Sequence, residues 1–155
     1  MRRVVLLCAL AALLAGCGSG APPEVTFAAG ATSVVAKPRQ YCDVKLQDCQ
    51  SDANAPVRLA VPAGTALKVT VPEEISSTPW QVVFSYRSAN GSRTDGRSPV
   101  LTPDQHQDYT LQLPAATDAL VTAEVQQYGP PPQANAETGE IEFPIRATWV
   151  LNSAG

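Results

Sequence analysis

The single histidine of the chain, His106, is the side chain best suited to acid–base or metal chemistry. It stands between Asp104 and Asp108, and on an extended segment all three side chains would point the same way. Such a group could transfer a proton or hold a metal. However, a zinc site normally uses more ligands than these three mobile groups supply, and Pro103 before Asp104 is typical of a turn. We therefore expect a solvated turn here and no metal site.

Other catalytic patterns are missing from the sequence. It contains no Gly-x-Ser-x-Gly turn, no His-Glu-x-x-His pair and no glycine-rich phosphate loop. Glu73 and Glu74 are adjacent, so in a strand they would point to opposite faces and could not work as a carboxylate pair. We expect no enzyme and no cofactor, and a hydrolase that uses Asp104, His106 and Asp108 is the least favoured alternative.

The N-terminus has the organisation of an export signal. Arg2 and Arg3 precede an apolar run over residues 4–15, which is shorter than the ~20 residues that span a bilayer as a helix. The run ends in Leu-Ala-Gly before Cys17, which resembles the lipobox of bacterial lipoproteins. We expect residues 1–16 to be cleaved and Cys17 to carry lipid. An ordinary secretory signal that contains a cysteine by chance is the alternative.

Composition after cleavage is consistent with one domain. Residues 17–23 would form a lipidated, flexible tether, and residues 24–155 are long enough for a single domain with its own core. Removal of Arg2 and Arg3 shifts the formal net charge from −3 to −5. An acidic chain without a basic run is a poor candidate for nucleic-acid binding.

Two further cysteines, Cys42 and Cys49, would be exported with this domain. The oxidising compartment favours a disulfide between them. Their C-x6-C spacing, with no histidine nearby, matches neither a zinc knuckle nor the C-x-x-C redox motif, the two alternatives.

Two segments are candidate binding sites. Arg87, Arg93 and Arg97 surround an Asn-Gly turn and could meet an anionic glycan or lipid headgroup. Tyr128 opens a Gly-Pro-Pro-Pro segment that favours an extended conformation and could face a partner. A solvated hairpin tip and an exposed loop are the simpler interpretations.

Alternating apolar and polar residues predict β-strands along most of the chain, and no window predicts a helix after the signal peptide. Two runs, 57–61 and 67–71, are predicted to form a hairpin, as are the runs on either side of Asn90-Gly91. The last run places alternate residues from Ile141 to Leu151 on one face, with Pro144 as an edge or bulge. Trp80 and Trp149 are in phase with the core residues. About seven or eight strands indicate an all-β, immunoglobulin-like antiparallel β-sandwich, with a small β-barrel as the alternative.

Short motifs along the mature chain resemble one family. The chain is similar to actinobacterial envelope lipoproteins of the domain of unknown function 2771, a resemblance that implies an envelope lipoprotein and no catalytic residue. The motifs are the lipobox, PPEVTF at 22–27, YCD at 41–43 with Cys49, Val61-Pro62 with Gly64, VPEEI at 71–75 with Pro79-Trp80, EVQQ at 124–127 and Trp149.

The sequence therefore predicts a non-catalytic lipoprotein held by its N-terminal lipid on the extracytoplasmic face of the cell membrane. We expect it to bind an envelope protein or polymer. A carrier of a small ligand or lipid is the alternative, which bulky inward-facing residues disfavour.

Overall fold

The computed structural model describes residues 20–134 and 136–154, so the predicted signal peptide and Cys17 lie outside the described residues. None of the described residues belongs to a helix long and apolar enough to cross a membrane. The elements are β1 (Val25–Ala29), β2 (Thr32–Ala36), β3 (Gln40–Cys42), β4 (Cys49–Ser51), β5 (Val57–Leu59), β6 (Leu67–Thr70), α1 (Glu73–Ser76), β7 (Trp80–Arg87), β8 (Arg93–Arg97), β9 (Asp108–Leu111), β10 (Ala119–Tyr128), β11 (Gln133–Ala134), β12 (Ile141–Glu142) and β13 (Ile145–Ser153).

The strands form two main sheets. The smaller sheet has the order β2-β1-β6-β9, and the larger has the order β4-β3-β13-β10-β7-β8, with β5 joined to β13. All pairings in both sheets are antiparallel except that of β5 with β13. The predicted β-sandwich is confirmed, and the sheets do not close into a barrel. Strand segments outnumber the seven or eight expected because several pairings are only two or three residues long.

The core lies between the sheets. Phe27 from the smaller sheet and Trp80 and Trp149 from the larger are each 0% exposed, which confirms the prediction that both tryptophans are core residues. Each indole also satisfies its N–H, as buried tryptophan requires. Nε1 of Trp149 donates to the carbonyl of Pro23 at 2.9 Å, and Nε1 of Trp80 donates to the carbonyl of His106 at 3.2 Å. These rings fill the interior, and their hydrogen bonds hold the segments at Pro23 and His106 against the sandwich.

The predicted disulfide joins two neighbouring strands. Cys42 and Cys49 are opposite each other in the β3–β4 hairpin and are bonded, with a Cα–Cα distance of 3.9 Å. A loop this short contributes about 2–3 kcal/mol by restricting the unfolded chain. The disulfide therefore secures the edge of the larger sheet.

The predicted hairpin between runs 57–61 and 67–71 is wrong. Strand β5 pairs in parallel with β13 in the larger sheet, whereas β6 lies between β1 and β9 in the smaller one. The connection between them crosses from one sheet to the other and buries Val61 on the way. Alternation indicates which face of a strand is buried, but either sheet can bury that face.

The last apolar run is divided, which corrects the prediction of one continuous face. Ile141 and Phe143 are 60% and 58% exposed and precede β13, where the buried positions begin only after Ile145. Pro144 lies at the division because it has no N–H to donate to the ladder. Its carbonyl instead accepts the N–H of Gly129 at 2.8 Å. The outward turn of these two apolar side chains creates an exposed surface described below.

One helical turn, α1, was not predicted. It follows Pro72, whose carbonyl accepts the N–H groups of Ile75 and Ser76. Four residues are too few to produce a 3.6-residue hydrophobic period. The turn buries Ile75, and its Glu74 carbonyl accepts a hydrogen bond from the side chain of Gln127, which joins α1 to the larger sheet.

Candidate binding surfaces

The outer face of the larger sheet carries a cavity of about 500 Å³, which we call the arginine cavity because Arg39, Arg93 and Arg97 line it together with other polar and apolar side chains. Alternation along β7, β10 and β13 turns most apolar side chains inward, so polar side chains form much of this face, together with Val83 and Val150. Ser85, Thr122 and Asn152 contribute hydroxyl and amide groups from these three strands. The edge strand β8 adds charged side chains. The result is an open, hydrogen-bonding surface that crosses four strands.

Arg93 is held in position by a buried hydroxyl group. Its Nη2 donates to Oγ of Ser85 at 2.9 Å, and Ser85 is only 2% exposed. The Ser85 hydroxyl is also 2.9 Å from Oγ1 of Thr122 on β10. Nε of Arg93 lies 3.9 Å from Oδ1 of Asp95, a weak and exposed ion pair. The guanidinium is therefore oriented by the sheet and still faces solvent.

The three arginines predicted to cluster do lie on one hairpin. Strands β7 and β8 form the predicted Asn-Gly hairpin, in which Gly91 has a φ of +86° and Arg87 is paired with Arg93. Arg93 and Arg97 line the cavity, whereas Arg87 is exposed at the tip, outside the lining.

Arg39 is a fourth arginine, which the sequence analysis missed. It lines the same cavity from the segment before β3, where its N–H donates to the carbonyl of Thr148 at 2.8 Å. More than 50 residues separate it from Arg93, so no local pattern could place it beside the hairpin. The lining also includes two carboxylates, Asp95 and Glu124, and Glu124 accepts a hydrogen bond from Gln126 at 2.7 Å.

Tyr128 lies on a different, apolar surface. Its ring packs edge-on against Phe143, with 6.0 Å between the centroids. Pro79, Val100 and the Pro130–Pro132 segment complete a groove of about 390 Å³. Burial raises the pKa of Tyr128, and the positive charge of Arg97 partly offsets this rise. Tyr128 is therefore part of the apolar groove and does not line the arginine cavity.

The Asp104–His106–Asp108 stretch does not converge on a site. Asp104 sits in a turn with a φ of +60°, and its N–H donates to the carbonyl of Ser76. His106 is exposed, whereas Asp108 starts β9 and accepts a hydrogen bond from Thr70 at 2.6 Å. Across residues 20–134 and 136–154, no three or more histidine, cysteine or acidic side chains are grouped to hold a metal ion.

The fold and these surfaces define a class of protein, an all-β sandwich domain with an arginine-lined cavity on its outer sheet face. Residues 19–154 match the family described as protein of unknown function DUF2771, and the chain belongs to that family. Membership of this family, which the short motifs indicated, is thereby confirmed. No curated protein and no solved structure matches the chain.

Proposed function

We propose that this chain is a membrane-anchored envelope lipoprotein that binds an anionic polysaccharide of the cell envelope without catalysing a reaction. The observation that carries the proposal is the cavity on the larger sheet, where the guanidinium groups of Arg39, Arg93 and Arg97 share one open face. Guanidinium groups bind carboxylates and phosphates through two parallel hydrogen bonds, and both anions occur on acidic polysaccharides.

The neutral groups between the arginines suit the rest of such a polymer. Thr122 and Asn152 present a hydroxyl and an amide group that can bond to sugar hydroxyls. Asp95 and Glu124 can accept hydrogen bonds from the same hydroxyls. Because the cavity is open across several strands, a polysaccharide can bind there at any point along its length and not only at a chain end.

A protein partner and a lipid cargo fit the described residues less well. Stable protein interfaces usually centre on apolar and aromatic side chains and are depleted in charge, whereas arginines and carboxylates surround this cavity. A lipid carrier needs space between its sheets, and here Phe27, Trp80 and Trp149 occupy that interior. A hydrolase is disfavoured because His106 and its neighbouring carboxylates do not face a common point.

The binding test uses the lipidated, processed protein in detergent. Isothermal titration calorimetry measures its affinity for alginate, which carries carboxylates, for phosphorylated dextran and for neutral dextran. We expect binding to one or both anionic polymers, no binding to neutral dextran, and a weaker affinity at higher salt. Arg93→Gln and Arg97→Gln should each weaken the affinity by roughly tenfold, the effect of losing one charge-assisted hydrogen bond.

Arg58→Gln is the matched control. Arg58 is an exposed arginine on β5 that does not line the cavity, so its replacement should leave affinity unchanged. Equal affinity for neutral dextran, or equal losses in all three variants, would contradict the proposed site.

A further inference from the structure

The described chain begins at one side of the sandwich. Ala21 and Pro22 lie beside Tyr41 at the β3–β4 edge, and Pro23 is fixed by the indole of Trp149. Cys17 is three residues before Gly20, so its Cα can lie at most about 11 Å from that of Gly20. A lipid on Cys17 would hold this side of the sandwich against the membrane.

The proline-rich segment is connected to this side through Arg146. The guanidinium of Arg146 lies 5.1 Å from the ring centre of Tyr41, and its Nη2 donates to the Tyr41 hydroxyl at 3.1 Å. Gly129 fits against Arg146 and Leu46, since a Cβ placed there would lie 3.3 Å from each of these side chains. The first described residues, the disulfide loop and the proline-rich segment are therefore neighbours.

Exposed apolar side chains are concentrated in this region. Among residues 20–134 and 136–154, the exposed large hydrophobic side chains are those of Val35, Val44, Val100, Ile141 and Phe143. Four of the five lie in the disulfide loop or around the proline-rich segment, and only Val35 belongs to the other sheet. An apolar cluster of this kind marks a contact with a partner or a membrane.

We propose that Val44, Val100, Ile141 and Phe143, which we call the apolar end surface, insert into the outer surface of the membrane that holds the lipid anchor. This inference rests on the proposed anchoring at Cys17. The anchor makes the bilayer the nearest apolar phase, because the short tether cannot carry the surface far from it.

Burial of apolar side chains, and not charge attraction, drives the proposed contact between the apolar end surface and the membrane. Glu137 and Glu140 belong to the segment that carries Ile141 and Phe143, and the mature chain is acidic overall. Acidic side chains are repelled by anionic headgroups, so charge attraction does not supply the contact. Insertion should therefore persist at high salt, unlike binding through a basic patch.

This placement orients the arginine cavity. Strand β7 runs from Trp80, next to the apolar end surface, to Arg87 at the hairpin tip. Its eight residues span about 25 Å. The arginine hairpin would therefore extend away from the bilayer, into the layer where envelope polysaccharides lie.

The test measures membrane depth in the lipidated protein. Phe143→Trp is reconstituted in phosphatidylcholine vesicles, with or without bromine on the acyl chains, since bromine quenches indole emission on contact. Trp80 and Trp149 are buried and provide a constant background. We expect the added tryptophan to emit at a shorter wavelength in vesicles than in their absence. We also expect it to lose intensity in brominated vesicles, at low and at high salt. Ile141→Trp should behave in the same way.

Ser92→Trp is the control at the opposite end, where the exposed hairpin tip should show no quenching. If lipidated Phe143→Trp and Ile141→Trp are both unquenched, the apolar end surface does not enter the membrane, although the anchor stands. If Cys17→Ser is still lipid-labelled and processed, the anchor itself is wrong, and with it this inference. Quenching that disappears at high salt would contradict the hydrophobic source.

Discussion

Single side chains decide how the arginine cavity is built. Arg93 was predicted as a binding residue from its place near a turn, but its orientation depends on Ser85, a buried residue on the neighbouring strand. Ser85 itself looks like an ordinary polar position in an alternating strand. The contact that orients the guanidinium is therefore visible only when the two strands are paired.

Asp108 gives a prediction at the residue scale. The hydroxyl of Thr70 donates to its carboxylate at 2.6 Å and, with Lys68 at 3.4 Å, holds the pKa of Asp108 below its ordinary 3.8. A lowered pKa in the folded state adds stability above the unfolded pKa, and this stability is lost as pH falls through the folded value. Thr70→Ala should raise the pKa of Asp108 towards 3.8 and reduce the loss of stability in acid.

The measurement is an NMR titration of the Asp108 carboxyl group together with denaturant unfolding between neutral and acid pH. Thr70→Ser keeps the hydroxyl and should keep the lowered pKa. The interpretation would be wrong if Thr70→Ala titrated like the unmodified protein.

At the scale of elements, the pattern of alternation predicts strands better than it predicts their partners. Strand β7 was predicted and found, and so was its hairpin with β8. The β5–β6 hairpin was wrong because the strands belong to different sheets. The outward position of Ile141 and Phe143 follows from the break at Pro144, which hydrophobic periodicity cannot show.

Strand β8 depends on a glycine that allows an aromatic ring to lie close to its backbone. A Cβ at Gly96 would lie 2.6 Å from Cζ of Phe84, on the paired strand. We expect Gly96→Val to force this ring aside and lower the free energy of unfolding by about 1–3 kcal/mol. Urea unfolding measures the change. Thr94→Val places the same side chain at an exposed position of β8 and should have little effect.

Combining Gly96→Val with Phe84→Leu tests the cause directly. The smaller side chain should recover part of the lost stability. If the double variant is no more stable than Gly96→Val alone, the ring contact is not the reason.

At the scale of the whole molecule, the two sheets share one core. Trp80 and Trp149 lie on β7 and β13 of the larger sheet and belong to the same buried cluster as residues of the smaller sheet, such as Phe27 and Val69. Since each sheet covers the apolar face of the other, neither can separate without exposing that cluster. This interdependence favours unfolding in one step.

We therefore expect native tryptophan emission that iodide quenches poorly and that changes together with far-UV circular dichroism during urea unfolding. Phe27→Ala should shift both transitions to lower urea by the same amount, although it alters the sheet that carries neither tryptophan. Two separate transitions would show that the sheets unfold independently.

The sequence by itself determined the all-β class, the disulfide, the buried tryptophans and the family. These properties depend on local periodicity, on cysteine spacing and on short motifs, all of which can be read along one chain. The tertiary structure decided that Arg39 joins Arg93 and Arg97, that β5 lies against β13, and that Ile141 and Phe143 remain exposed beside the proline-rich segment. Each of these depends on which strands become neighbours. Several pairings satisfy the same alternating pattern, so the choice among them belongs to the packing of the whole core.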